Sequence, residues 1–344
     1  MLAAILYGPN RLELTEIERP AIGDDEILAR VLAAAICGTD FRILSGKKTR
    51  GIHYPSIIGH ELSGEVVEVG KKVLEFKLGD RIGVAPIVPC RKCLYCRIGL
   101  ENVCANRQAI GYEFDGGFAE YVRIPAVALE SGNVVHLPDS IDFEEAAILE
   151  PFACCINGQK KANVSAGDTV LVIGAGPIGL MHLMLAKARG ARKVVSSELF
   201  EGRRRLAAKL GADRVVDPAA ESLIDVAKEE TEMGFDVAIM AVGVKDLVSD
   251  VLKTVRKGGR VSLFAGFPEG DTSVIDPNVI HYNEIIVTGA SSSTRQNFIE
   301  AMQMVEYGMV NLKQLISHRF SLREINKAFD VAKSAEGVKI LIEP

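Results

Sequence analysis

Four cysteines fall within 15 residues of this 344-residue chain, in the spacing Cys90-x2-Cys93-x2-Cys96-x7-Cys104. Thiolates this close can wrap one tetrahedral zinc and leave no coordination position for a substrate. The expectation is a closed structural zinc site whose binding energy is folding energy. An iron–sulfur cluster also takes four cysteines, and the bare spacing leaves that alternative open. A second set is dispersed: Cys37 before Gly38-Thr39-Asp40, the pair His60-Glu61, and Glu150 before Pro151. Taken singly, these are a small buried thiol, a core imidazole and helix-end charges. Together they offer one sulfur, one imidazole and two carboxylates, a donor set for an open zinc site with a position for water or an alcohol.

A third group is contiguous. Gly174-Ala-Gly176-Pro177-Ile178-Gly179 follows an apolar, β-branched run and opens a helical one. In that context the first glycine permits a tight turn, the second lets backbone approach a pyrophosphate, and the third permits close helix–strand packing. The helix N-terminus supplies unpaired N–H groups for the phosphates. Glu198, 19 residues past Gly179, stands where a carboxylate would accept from the adenosine ribose hydroxyls. It would repel a 2′-phosphate, so the cofactor is expected to be NAD. Arginines 203–205 follow closely and are the residue type that binds a 2′-phosphate. They are read instead as a solvated helix face, with Arg203 contributing one cofactor contact.

The elements that must position these groups change character near residue 145. Before it, short β-rich runs (26–33, 62–69, 81–85, 118–124) are broken by Gly and Pro, as in a partly closed all-β unit. From 168 onward, strand and helix patterns alternate: strands over 168–173, 193–197, 214–216, 235–242, 260–265 and 284–288, and helices over 177–189, 203–210, 222–231 and 245–256. Such alternation implies βαβ units on a parallel sheet, an α/β fold class. The tail from 291, with a helix over 296–307, is too short to fold alone. The expected division is therefore 1–145 completed by 291–344, and 146–290.

Composition narrows the remaining classes. The net charge of −5 opposes a nucleic-acid partner. No apolar run approaches the ~20 residues of a membrane span, and the N-terminus lacks the pattern of a secretory signal. The chain reads as cytoplasmic, where clustered cysteines bind metal more readily than they form disulfides.

The same motifs, in this order and with Gly79-Asp80-Arg81 and Asp115-Gly-Gly-Phe-Ala-Glu-Tyr121 between them, resemble the zinc-containing medium-chain dehydrogenases, and most of all their sorbitol (polyol) branch. The resemblance spans essentially the whole chain. It implies a GroES-like catalytic domain, a Rossmann domain and an active site in the cleft between them. It implies catalytic zinc on Cys37, His60 and Glu150, with Glu61 a fourth ligand or a close carboxylate that exchanges with it. Thr39 corresponds to the hydroxyl that accepts the alcohol proton. The implied reaction is hydride transfer from a secondary alcohol of a polyol or sugar alcohol, phosphorylated or not, to NAD. The resemblance further implies two zinc ions per subunit and a homodimer or homotetramer. L-threonine 3-dehydrogenase is the alternative activity, and a non-catalytic member the alternative class. Two positions depart from the family pattern: Arg42 and Asn157 stand where many relatives carry histidine. A guanidinium cannot act as a base. The run Lys47-Lys48-Thr49-Arg50 is either a solvated loop or an anion contact, and Arg295 is a further candidate for the cleft.

Overall fold

The computed structural model describes residues 1–334 and 336–344. The chain divides into two compact units, Met1–Ala153 with Ser292–Pro344, and Cys154–Ser291.

The first unit is built mainly on antiparallel strands, with Ile316–Ser321 running parallel to Lys339–Glu343. A hairpin of Leu2–Gly8 and Arg11–Glu16 is flanked by the short strand Ser56–Ile57. The larger sheet runs in the order Val134–His136, Arg81–Val84, Glu61–Val69, Ile27–Ala35, Lys339–Glu343, Ile316–Ser321, and Tyr121–Ile124 also pairs with Ile27–Ala35. Ile27, Ala29, Val31, Leu62, Val66, Ile82 and Phe118 pack into its core, with Ile342 from the tail. Register is what matters for chemistry. Ala35 lies opposite Glu61, and Leu341 lies opposite the same Ala35. Cys37, two residues beyond Ala35, is thereby brought to the end of the sheet where His60 and Glu61 begin the neighbouring strand. The tail strand adds Lys339 at the same end, fastened by Ile36 N–H to the Ile340 carbonyl at 3.0 Å.

The second unit carries a six-stranded, wholly parallel sheet in the order Arg214–Val216, Lys193–Ser197, Thr169–Ile173, Phe235–Met240, Val255–Leu263, Ile286–Gly289. Numbered along this unit the order is 3-2-1-4-5-6, the doubly wound Rossmann arrangement, which places ligands beyond the carboxyl ends of strands where the winding reverses. Thr169–Ile173 is buried at every position, as a central parallel strand must be. The helix Pro177–Ala188 buries Leu180 through Ala186 without interruption, so it lies inside the unit and not on a half-wet surface.

One expected element differs. The helical pattern read over 245–256 is a 3-10 turn, Lys245–Leu247, and one helical turn, Val248–Val251. Val255 already opens the next strand, because it pairs with Phe235 ahead of a bulge. Sheet pairing overrides local helical propensity there.

Candidate active site and metal centres

The cysteine lobe is short and irregular, formed by Ile87–Val88, the turn Leu94–Arg97, the turn Glu101–Val103 and Gln108–Ala109. It gathers Cys90, Cys93, Cys96 and Cys104 with all four sulfurs within 4.8 Å of one another. Cys93 Sγ is 3.5 Å from Cys96 Sγ and 3.7 Å from Cys104 Sγ. Those separations far exceed a disulfide bond of about 2.05 Å and match the ~3.8 Å edge of a tetrahedron with Zn–S bonds near 2.3 Å. Backbone N–H groups of Cys90 and Asn106 point at Cys104 Sγ, at 3.3 and 3.4 Å. Hydrogen bonds from the Lys92 and Cys93 backbone pull the Cys90 thiol down to about 6, whereas burial beside Cys93 and Cys104 pushes Cys96 up to about 12. A divalent cation resolves this conflict by making all four thiolates. The donor set fits zinc.

The second cluster lies at the sheet end described above. Cys37, His60 and Glu61 bring one ligand atom each within 4.8 Å of one another, and His60 and Glu61 are buried. Buried polar atoms are left without hydrogen-bond partners at this point: His60 Nδ1, Asp40 Oδ1 and Glu61 Oε1. His60 Nδ1 faces Asp40 Oδ1 at 3.5 Å, which leaves Nε2 for the interior of the cluster. Asp40 Oδ2 accepts from Cys37 N–H at 2.9 Å, so one buried carboxylate steadies two of the candidate ligands. Burial works to lower the imidazole pKa, yet Tyr112, Cys37 and Asp40 hold it well above the ordinary value. Sulfur, imidazole and carboxylate around unpaired buried atoms fit zinc here too.

Glu150, buried at the start of the helix Leu149–Lys161, is not in this tight trio, but its charge reaches Glu61, Tyr112 and Lys339. Thr39 is half-buried in the helix Gly38–Leu44 that starts beside Cys37. Arg42 is exposed in the last turn of that helix.

In the second unit, Gly174 has φ +94°, and a Cβ on it would stand 2.5 Å from Val242. A Cβ on Gly179 would collide with the Gly174 carbonyl oxygen, whereas one on Gly176 meets only Arg203 Nη1, at 3.7 Å. Pro177 occupies the first turn of the helix that Gly176 caps, with Ile178 next to it. The backbone is therefore open at Gly176 alone, where a phosphate would approach. Glu198 accepts from Ala175 N–H at 2.7 Å and Phe200 N–H at 3.0 Å. Its carboxylate thus braces the glycine loop, a task sequence inspection did not assign to it. Arg204 is occupied by the Glu198 and Leu199 carbonyls and by Asp217, while Arg203 faces the loop.

Residues 23–139 match the alcohol dehydrogenase GroES-like domain family, and 177–307 the zinc-binding dehydrogenase family. An L-threonine 3-dehydrogenase of Pseudoalteromonas atlantica is 35% identical over 342 residues, 98% of each chain. The chain belongs to the zinc-containing medium-chain dehydrogenases. A zinc-binding dehydrogenase of Sinorhizobium meliloti, solved with NADP, superposes with a TM-score of 0.92 at 34% identity, covering 100% of this chain and 99% of that one. Galactitol-1-phosphate dehydrogenase of Escherichia coli superposes with a TM-score of 0.90 at 26% identity, covering 100% of both chains. The chain is thus an oxidoreductase of a fold that works with zinc and a nicotinamide dinucleotide. Among the described residues, no helix is long and apolar enough to cross a membrane.

Three residues of this dehydrogenase escaped the motif reading. Lys339 reaches Glu61 Oε2 and donates to the Ile36 carbonyl at 3.2 Å, fully buried. Tyr112 sets its ring 5.4 Å from that of His60. Asp40 stands in the Cys37 motif but received no role. Arg295, expected as a cleft candidate, is engaged elsewhere: it grips Glu101 through Nε (3.1 Å) and Nη2 (2.8 Å), and reaches the Ser131 carbonyl. It ties the tail helix Arg295–Glu306 to the cysteine lobe.

Proposed function

We propose that the dehydrogenase oxidises a secondary alcohol of a small polyhydroxylated molecule, a polyol or sugar alcohol, with NAD as the hydride acceptor. The observation that carries this reading is the gathering of half-buried Cys37 with buried His60 and Glu61, one ligand atom of each within 4.8 Å of the others, in the field of the Glu150 charge. Cys37 and His60, with Glu150 or Glu61, would hold the zinc, whose bound form supplies the Lewis acidity that makes an alcohol a better proton donor. The chain's own residues do the remainder. Asp40 orients the His60 ring, and Lys339 balances the charge of Glu61. Thr39 accepts the alcohol proton at Oγ1 and passes it toward water, since Arg42 cannot act as a base. Backbone N–H groups at Gly176 to Gly179 hold the pyrophosphate, beside Arg203. The Glu198 carboxylate favours an unphosphorylated ribose, hence NAD over NADP. Subunits associate as a homodimer or homotetramer in this reading. In support, the edge strand Ile286–Gly289 exposes Ile286 and Val287.

L-threonine 3-dehydrogenase is the second reading, favoured by the 35% identity to such an enzyme along nearly the whole chain. NADH formation decides between them, measured as kcat/KM on sorbitol, xylitol, butanediol, sugar-alcohol phosphates and L-threonine. A clear preference for threonine replaces the first reading with the second. Silence on every alcohol, with two zinc ions bound per chain, overturns both.

A further inference from the structure

The loop after the helix Gly38–Leu44 carries a cation to the neighbourhood of the candidate active site. Lys48 Nζ lies 4.1 Å from the centre of the Tyr112 ring, and that ring lies 5.4 Å from His60. Tyr112 thus lies close to the imidazole and the ammonium at once. Lys48 gives one donor to the Arg50 carbonyl at 2.7 Å. Among the described residues it makes no ion pair. Its surroundings are charged mostly with its own sign. Burial above all, and the like charges of Arg107, Arg42 and Arg50, pull its pKa below the ordinary lysine value against the attraction of Glu113. Glu113 is itself committed, accepting from Ala109 N–H at 2.8 Å. Glu113 also lines a cavity of about 570 Å³ together with Arg50, Lys92, Arg107 and Asn106, and the cations of that cavity outnumber its one carboxylate.

A half-buried ammonium with spare donors, under the like charges of three arginines, is an arrangement that an arriving anion improves. Together the two ring separations place the ammonium within about 10 Å of the imidazole, a distance that the extended chain of a five- or six-carbon alcohol ending in an anion can cover. We propose that the alcohol oxidised here carries an anionic group, a phosphate or a carboxylate, and that Lys48 on Tyr112 receives it. This rests on the function proposed above and adds the charge class of the substrate. Lys48 is the specificity-determining residue, and Arg42, Arg50 and Arg107 supply the field that draws the anion in.

The test uses the full-length, zinc-loaded protein and its Lys48→Met and Lys48→Arg variants. Substrates are matched in carbon skeleton: sorbitol, sorbitol 6-phosphate and gluconate, the last two separating phosphate from carboxylate. Inorganic phosphate is titrated calorimetrically as a direct probe. The expected result is a kcat/KM for one charged substrate at least tenfold above that for sorbitol. In Lys48→Met that preference falls at least tenfold, through KM, and Lys48→Arg restores most of it. Phosphate binding weakens at least tenfold in Lys48→Met. Equal loss on charged and neutral substrates, or equal phosphate affinity in both proteins, overturns the proposal. Oxidation of sorbitol with no charge preference sinks the anion site and leaves the proposed function standing. No oxidation of any alcohol, with phosphate binding lost in Lys48→Met, does the reverse.

Discussion

The ammonium of Lys339 sits against the carboxylate of Glu61, the two side chains 3% and 0% exposed. Burial pushes the Glu61 carboxyl up to about 7, and Lys339 works against that rise. Breaking a buried pair by removing one partner costs about 3–5 kcal/mol, because the survivor is left uncompensated. Lys339→Met should therefore lower unfolding free energy by that amount in urea titration. Glu61→Gln in the same chain should recover most of the loss. Additive effects of the two substitutions would show that the contact carries no coupling.

The two metal centres should separate by mutation. Cys37→Ala is expected to bind one zinc where the parent binds two, measured by elemental analysis. It should lose turnover by at least ~10³-fold while keeping dinucleotide affinity. Cys96→Ala should also lose one zinc, but with a fall in Tm of at least ~5 °C. If Cys96→Ala abolished turnover with Tm unmoved, the division into catalytic and structural centres would be wrong.

Two glycines in one loop should fail differently. A Cβ on Gly179 has nowhere to go, so Gly179→Ala should destabilise the second unit by several kcal/mol, seen as a lowered Tm. Gly176→Ala has room and should fold normally. It should nevertheless weaken NADH binding, followed by fluorescence, roughly tenfold or more, because the methyl stands where a phosphate must approach. Equal stability losses in both variants would contradict this geometry.

Buried His182, on the helix that opens at Pro177, makes stability depend on acid. Burial above all, then the Arg189 charge, lowers its pKa to about 3. The folded protein therefore holds this ring neutral while the unfolded chain protonates it below about pH 6.5. Its contribution is complete above that pH and is lost as pH falls toward 3, at about 1.4 kcal/mol per unit. His182→Gln should flatten the acid limb of a Tm-against-pH curve relative to the parent. An unchanged difference between the two proteins from pH 7 to 5 would rule out this role.

How much of this was legible in the sequence depended on distance along the chain. Cys90 to Cys104 and Gly174 to Gly179 are local motifs, so spacing alone announced their geometry. Strands such as Thr169–Ile173 were plain because β-branched residues fill a short buried run. Lys339 was invisible: it meets Glu61 across 278 residues, through a tail strand laid beside Ile27–Ala35. Tyr112 belongs to no motif and gained its place from a loop. Arg295 misled because an arginine near a cleft and an arginine clamping a glutamate look alike until the partner is known. Glu198 was found for its charge, while its hold on Ala175 N–H needed coordinates.

The 278-residue gap between Glu61 and Lys339 also sets an order of birth. At a synthesis rate of ~5–20 residues per second, Glu61 leaves the ribosome roughly a quarter of a minute to a minute before Lys339. Cys154–Ser291 forms one unbroken stretch of chain and emerges whole in that interval. The first unit must wait, its sheet lacking the strands Ile316–Ser321 and Lys339–Glu343 and its carboxylate lacking a counter-charge. The nascent protein therefore has its parallel-sheet unit in hand first and completes the surroundings of the Cys37, His60 and Glu61 cluster last. A half-made chain thereby lacks the cation that faces Glu61 in the finished fold.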